Sequence, residues 1–317
     1  MGAGLFGYAI RRLLWAIPVL LVLSMLVFTM LRLAPNNPVD AQLGRFKTPE
    51  AERALNKKYG YDQPIPVQYV KYMWNLVQGD MGISARHQDF SARDVIAPKI
   101  WVSTQINFFA LIITFGLGIP IGIYAAMARG TFVDPLTIGF WLVIDAIPTF
   151  VVAPIAIWLF GIKLGLVGLS WEGVYSTHTV LPVLIIALPG VAGVARLMRT
   201  SILQVIGEDF VRTARMKGLK ESTVVFTHIT RNALLPMVTV IGLSLPGITG
   251  GALFVEQFFG IPGIGREALA AATHPDYDVI LGLLLFGSAL FVLANVVVDL
   301  LYGVIDPRVR VGSARES

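Results

Sequence analysis

Six apolar runs, each long enough to cross a lipid bilayer and nearly free of charge, constrain this chain more than anything else in it. Leu13 to Leu31 carries no charge, follows Arg11 and Arg12, and stops at Arg32. Ile100 to Ala128 stops at Arg129, and Pro135 to Ile162 contains a single acid, Asp145. Gly173 to Ala195, apolar from about Val180, stops at Arg196; Asn232 to Val255 stops at Glu256, and Val279 to Val298 at Asp299. A helix needs about 20 apolar residues to cross the hydrocarbon core, where backbone groups find no water and must pair within the segment. With 55% hydrophobic and 14% charged residues, the composition belongs to a membrane protein and not to a soluble domain. The expected fold is an all-α membrane protein of six transmembrane helices, a single integral domain over residues 1–317 with both termini on one side. A signal peptide is the other reading of the first run, but the run is too long for an ordinary signal core and no clean cleavage site follows.

Lysine and arginine set the expected orientation. With the N-terminus in the cytosol, the inside segments hold thirteen bases, including Arg129, Arg308 and seven from Arg196 to Arg231. The two short outside loops then hold only Lys163 and Arg266, the bias that the positive-inside rule describes. Residues 36–99 become an extracytoplasmic segment, near neutral with nine bases and seven acids. Val67, Val70, Trp74 and Val77 fall there at helical spacing, which predicts a short amphipathic helix. Residues 205–235 become a cytosolic loop. The net charge of +5 is read as topology signal, not as a nucleic-acid surface.

Several features inside the runs are unlike inert anchors. Pro18, Pro120, Pro148, Pro154, Pro182, Pro189 and Pro246 interrupt them, freeing carbonyls that neighbours or a wet cavity must satisfy. Gly118–Gly122 and Gly247–Gly251 offer small faces for close helix contact. Asp145 lies about 15 Å into its run at 1.5 Å per residue. An acid at that depth faces a cavity or a partner, so it either favours a cationic substrate group or pairs with another helix.

The cytosolic loop reads as two short helices broken at a glycine. Glu208 and Asp209 open the first and Arg215 and Lys217 close it, as the macrodipole favours; Gly218 sits at the left-handed cap, and Ser222 is the expected N-cap of the second. Arg212-Thr213-Ala214, Gly218 four residues on, and Leu235-Pro236 resemble the EAA loop of ABC importer permeases. RTARMKG and RNALLP are most similar to the dipeptide/oligopeptide/nickel permeases, B-type transmembrane subunit. The leading Glu of the general pattern is Arg212 here, and the late Leu-Pro fits the peptide branch. DQPIPVQYVKYMW, GDMGIS, the segment from Glu256 to Asp278 and the tail DLLYGVIDPRVR also resemble that family in order along the chain.

The resemblance implies the type I ABC importer permease fold in a bacterial inner membrane. It also implies four kinds of partner besides lipid: a second homologous permease subunit, two ATP-binding subunits and an extracytoplasmic substrate-binding protein. Arg212, Thr213, Ala214 and Gly218 are the expected ATPase-coupling residues, with Phe210, Val211 and Ala214 offering an apolar face to the ATPase groove. Asp145 is the pathway candidate. The cargo expected is di- or oligopeptide, with nickel or another small solute as the alternative.

Absences agree with a subunit that binds no cofactor of its own, ATP and Mg being bound by the partner ATPases. The chain lacks a G-x-x-x-x-G-K-[ST] loop, an H-E-x-x-H helix and a G-x-S-x-G elbow. The glycines Gly260, Gly263 and Gly265 lack the strand and acidic partner of a nucleotide loop. Its four histidines are scattered and it has no cysteine, so no metal site or disulfide is expected. A stand-alone channel or secondary transporter is the rival of another class, and it is weakened by the lack of a visible inverted repeat.

Overall fold

The computed structural model describes residues 2–33, 43, 48–87, 90–168, 170–274 and 276–305, and all secondary structure below refers to these. Residues 306–310 of the tail signature, Arg308 among them, and residues 36–42, 44–47 and 88–89 of the segment after the first span lie outside them. The described residues are helical, with one antiparallel bridge between Ile83 and Ser91. In chain order the helices are α1 (Gly2–Arg32), α2 (Pro49–Tyr59), α3 (Ile65–Val77), α4 (Ala92–Met127), α5 (Val133–Ala146) and α6 (Thr149–Lys163). They continue as α7 (Val180–Val205), α8 (Asp209–Met216), α9 (Glu221–Ala233), α10 (Leu235–Ile248), α11 (Leu253–Phe258), α12 (Ile264–Thr273) and α13 (Tyr277–Ile305). Four stretches, Ile10–Arg32, Ala92–Met127, Thr177–Val205 and Tyr277–Val298, are long and apolar enough to cross a membrane alone. The pairs α5–α6 and α9–α10 qualify only together, bent by 91° and 46°.

The first compact unit comprises residues 1–103, 249–253 and 262–317. Here α1 and α13 run antiparallel: Ala16 packs with Val292 and Val296, while Phe28 packs with Leu281 and Leu285. The start of α4 lies beside the start of α13, where Ala92, Val95 and Ile96 share a core with Val279. Local chemistry fixes α2: the Thr48 hydroxyl accepts the Ala51 N–H, Pro49 opens the helix, and Gly60 at φ +70 ends it. Residues 82–99 are tied to the start of α13 and to α12 by polar contacts. Ser84 Oγ donates to Asp276 at 2.5 Å, the Arg86 N–H donates to the same carboxylate at 3.2 Å, and Lys99 pairs with Glu267. Gly251 lies against Gly265, where a Cβ would come within 2.2 Å of the Gly265 nitrogen. The Gly247–Gly251 stretch is thus not one continuous helical face: α10 has ended at Ile248, a Cβ at Gly247 would meet nothing within 4 Å, and the close backbone approach is made by Gly251.

The second unit comprises residues 104–248 and 254–261. Thr114 donates to the Ala187 carbonyl at 3.0 Å, Gly118 abuts Val194, and Gly122 abuts Ala195 and Met198. Positions on the two helices rise together, so α4 and α7 run parallel. Cβ atoms at Gly118 or Gly122 would stand 2.5–2.7 Å from these neighbours, and the small face exists for this contact within the chain. Near its other end, α4 meets the end of α10, where Asn107 donates to the Ile248 carbonyl at 3.0 Å. Met237 at the start of α10 shares a core with Ala126, so these two helices are antiparallel.

Three expected boundaries change. The fourth run does not stop at Arg196: α7 continues to Val205, because Arg199 finds a partner in Asp134. Arg199 Nε and Nη2 donate to the two Asp134 oxygens at 2.6 and 2.5 Å, a fork-to-fork pair whose carboxylate side chain is only 8% exposed. The third run is not one helix but breaks at Ile147–Pro148, where α5 ends in an extended residue and the chain turns by 91°. The fifth run breaks at Leu234 and its helix ends at Ile248, short of Val255. Of the seven prolines only Pro148 coincides with a break; Pro18, Pro154, Pro189 and Pro246 lie inside helices.

Candidate coupling surface

The segment from Val205 to Leu235 is built on α7. After Val205 the chain turns through Gly207, and Glu208, in extended geometry, caps α8. Asp209 stands in the first turn and Arg215 in the last, both complementary to the helix dipole. The N–H of Gly218 reaches the Arg215 carbonyl at 2.9 Å with φ +73, a left-handed turn that glycine adopts without a Cβ penalty. The second helix opens two residues earlier than expected. Lys220, not Ser222, is its extended cap residue, and Ser222 lies inside the first turn. Arg215 closes the turn with a bidentate pair to Glu221, 2.7 and 3.2 Å long. Those hydrogen bonds raise the Arg215 pKa further above its ordinary value, so the link stays charged at any physiological pH. Both groups are exposed, so screening by water keeps the pair's contribution to stability small.

α8 has an inner and an outer face. Val211 and Ala214 are buried in a core with Met198, Ile202, Val224 and Ile229. The expected apolar face of Phe210, Val211 and Ala214 is therefore split: the latter two hold α8 onto its own chain and offer nothing to a partner. Fully burying one valine contributes about 1.5–3 kcal/mol, which suffices to fix a two-turn helix that could not form alone. In α9 a wider, i→i+5 turn over Val224–Ile229 sets Ile229 nearly above Val224, so both meet this core. The outer face carries Arg212, Thr213, Met216 and Lys217, with Leu219, Lys220 and Phe226 exposed beyond them. Met216 at 79% and Phe226 at 65% exposure are large apolar groups that the sequence pattern did not single out. Arg212 approaches Asp209 only at 3.7 Å and remains available, whereas the Thr213 hydroxyl is spent on the Asp209 carbonyl at 2.9 Å.

Asp145 is not in this region. It sits exposed in the last turn of α5, two residues before the break at Ile147, and not midway along a straight span. The carbonyl end of a helix disfavours an anion, so Asp145 adds negative potential to an already negative terminus.

Residues 118–311 match the family described as the binding-protein-dependent transport system inner membrane component, and residues 5–92 match the corresponding N-terminal membrane component. The chain is 36% identical over 304 residues to the oligopeptide transport system permease protein OppB of Haemophilus influenzae, covering 96% of this chain and 99% of that one. It is 33% identical over 335 residues to the dipeptide transport system permease protein DppB of Alkalihalophilus pseudofirmus, covering 96% and 100%. A putative peptide permease protein of Brucella suis is 34% identical over 315 residues, covering 96% and 99%.

Proposed function

The chain belongs to the family of binding-protein-dependent transport system inner membrane components, and from that premise we propose that it is the permease subunit of an ATP-driven importer of di- and oligopeptides. The observation that carries this reading is end-to-end similarity to peptide permeases. In this reading the subunit is non-catalytic and lines half of a pathway with a second, related permease. Two ATPase subunits bind ATP and Mg, and an extracytoplasmic binding protein delivers the cargo.

Helix directions support six crossings. The parallel course of α4 and α7 supports a single crossing by the bent pair α5–α6 between them. Because α10 runs against α4, the α9–α10 pair supplies the fifth crossing. The antiparallel α1 and α13 complete an even count, with both termini on the cytosolic side by the lysine and arginine bias.

The ATPases dock on the outer face of α8, with Arg212 and exposed Phe210 and Met216 as contacts. Ala214 acts from the other side, as the small residue that lets α8 lie close to α7, and Gly218 sets the angle at which α8 leaves α9. A close-packed interior transmits displacement, so a push on α8 passes through Val211 and Ala214 to Ile202 and Met198 of α7. From α7 it reaches α4 through Gly118 and Gly122. Asp145 takes the role of an acid open to the pathway that favours the cationic amino end of a peptide.

The test is reconstitution of the chain with its companion permease, ATPases and binding protein in proteoliposomes. Peptide-loaded binding protein should stimulate ATP hydrolysis and peptide uptake. Uptake that continues without ATPase subunits would overturn the reading in favour of a channel or secondary transporter.

A further inference from the structure

Helix α3 lies in the segment expected to be wholly extracytoplasmic, yet its contacts are with the membrane spans. The Tyr69 hydroxyl hydrogen-bonds Ser24 Oγ at 2.7 Å and donates to the Leu21 carbonyl at 3.2 Å. Leu21 is the midpoint of the span Ile10–Arg32 and lies about 16 Å along the helix axis from Arg32, at 1.5 Å per residue. Farther along α3, Met73 and Leu76 line an apolar groove of about 270 Å³ with Ile17, Leu20, Leu285 and Ser288. Leu285 and Ser288 are about 12 and 16 Å along α13 from Tyr277. The helix therefore lies beside α1 and α13, at the depth of their apolar residues, and not above their ends.

Its three faces differ accordingly. Gln68, Tyr72 and Asn75 turn to a polar cavity of about 330 Å³ that also holds Arg32 and Asp278 at the ends of the two spans. Tyr69 and Leu76 pack on Phe28, Leu281 and Leu285. The remaining face is the expected apolar stripe, and it is left open by the described residues: Val67, Val70, Trp74 and Val77 are 43, 64, 67 and 79% exposed. No acid occurs in α3, and its one base, Lys71, is bonded to Gln63 Oε1 at 2.7 Å. On α1, Leu14, Ile17 and Leu21 are likewise exposed.

We propose that α3 is immersed in the bilayer half at the Arg32 end of α1, with Val67, Val70, Trp74 and Val77 facing lipid acyl chains. The polar face then keeps the cavity at the headgroup level, where Lys71 extends its ammonium to water along an apolar stem. Placed this way, α3 braces α1 against α13 from inside the membrane.

The absence of cysteine makes the test direct. Nitroxide labels on Val67→Cys, Val70→Cys, Trp74→Cys and Val77→Cys are read in the complete transporter, in nanodiscs of phosphatidylethanolamine and phosphatidylglycerol. Collision with oxygen should be high and with a water-soluble nickel chelate low, as for a lipid-facing control at Leu14→Cys and opposite to an aqueous control at Glu50→Cys. High nickel collision would put the face in water, and low collision with both reagents would put it under protein such as the second permease; either overturns the proposal. In the unsubstituted chain, a phospholipid carrying a diazirine on its acyl chain should leave adducts on the Ile65–Val77 peptide, and their absence would overturn it as well.

Discussion

A Cβ at Gly218 would meet nothing within 4 Å, so this position demands glycine through its backbone alone, at φ +73. Gly218→Val should cost about 1–2 kcal/mol in the turn, and Gly218→Asn much less, because asparagine tolerates the left-handed region. Insertion into the membrane should be unchanged while stimulation of ATP hydrolysis by loaded binding protein falls for valine and is largely kept for asparagine. Equal activity of the valine variant and the wild type would remove the turn from coupling. Asp134 and Arg199 present the opposite case, a pair whose partners were separately invisible in the sequence. Removing one partner of a buried pair costs about 3–5 kcal/mol, and the lower end applies because Arg199 is 29% exposed. Arg199→Met should lower the thermal midpoint of the purified complex more than Arg196→Met does, and the double variant Asp134→Leu/Arg199→Met should recover much of the loss.

At the scale of the element, α8 joins a fixed inner face to an exposed outer one. Ala214→Leu should overpack the core around Ile202 and Ile229 and destabilise the segment by about 1–3 kcal/mol, seen as faster proteolysis between α7 and α10. Phe210→Ala with Met216→Ala should leave proteolysis unchanged and reduce the ATPase retained in a pull-down. Retention at the wild-type level would show that docking uses other groups. At the other bent element, Asp145 stands at the carbonyl end of α5, where lipid, water or a cargo cation has to answer its charge. Asp145→Asn should lower uptake of peptides with a free amino terminus while the ATPases still co-purify; loss of the assembled complex would mark a structural role instead.

For the whole molecule, the proposed topology places three crossings between α3 and α8 and so predicts that they are reached from different compartments. Ser84 is the obvious polar reporter before the second span, but it is fully buried against Asp276. Exposed Gln78 and Ser222 serve better. On intact cells an impermeant thiol reagent should modify Gln78→Cys and spare Ser222→Cys until the membrane is opened. The reverse pattern would invert the orientation.

What the sequence determined by itself follows from local physics. Long charge-free runs read as helical membrane segments because a helix pairs its own backbone groups where lipid offers no partner, and a lone glycine between two charged helices reads as the turn at Gly218. Tertiary packing decided the rest. Whether Val211 and Ala214 face inward depends on α7 and α9 lying beside them, which periodicity within α8 cannot register. Arg196 looked like the end of a span, yet the helix runs on because Asp134, distant in sequence, neutralises Arg199. Pro189 and Pro246 leave α7 and α10 helical, while Pro148 marks a break. The stripe on α3 was legible as amphipathic, but which face meets the protein was fixed only when Tyr69 found Ser24 across the spans. Pairing between distant residues is where these free energies are realised, and a local pattern carries no record of it.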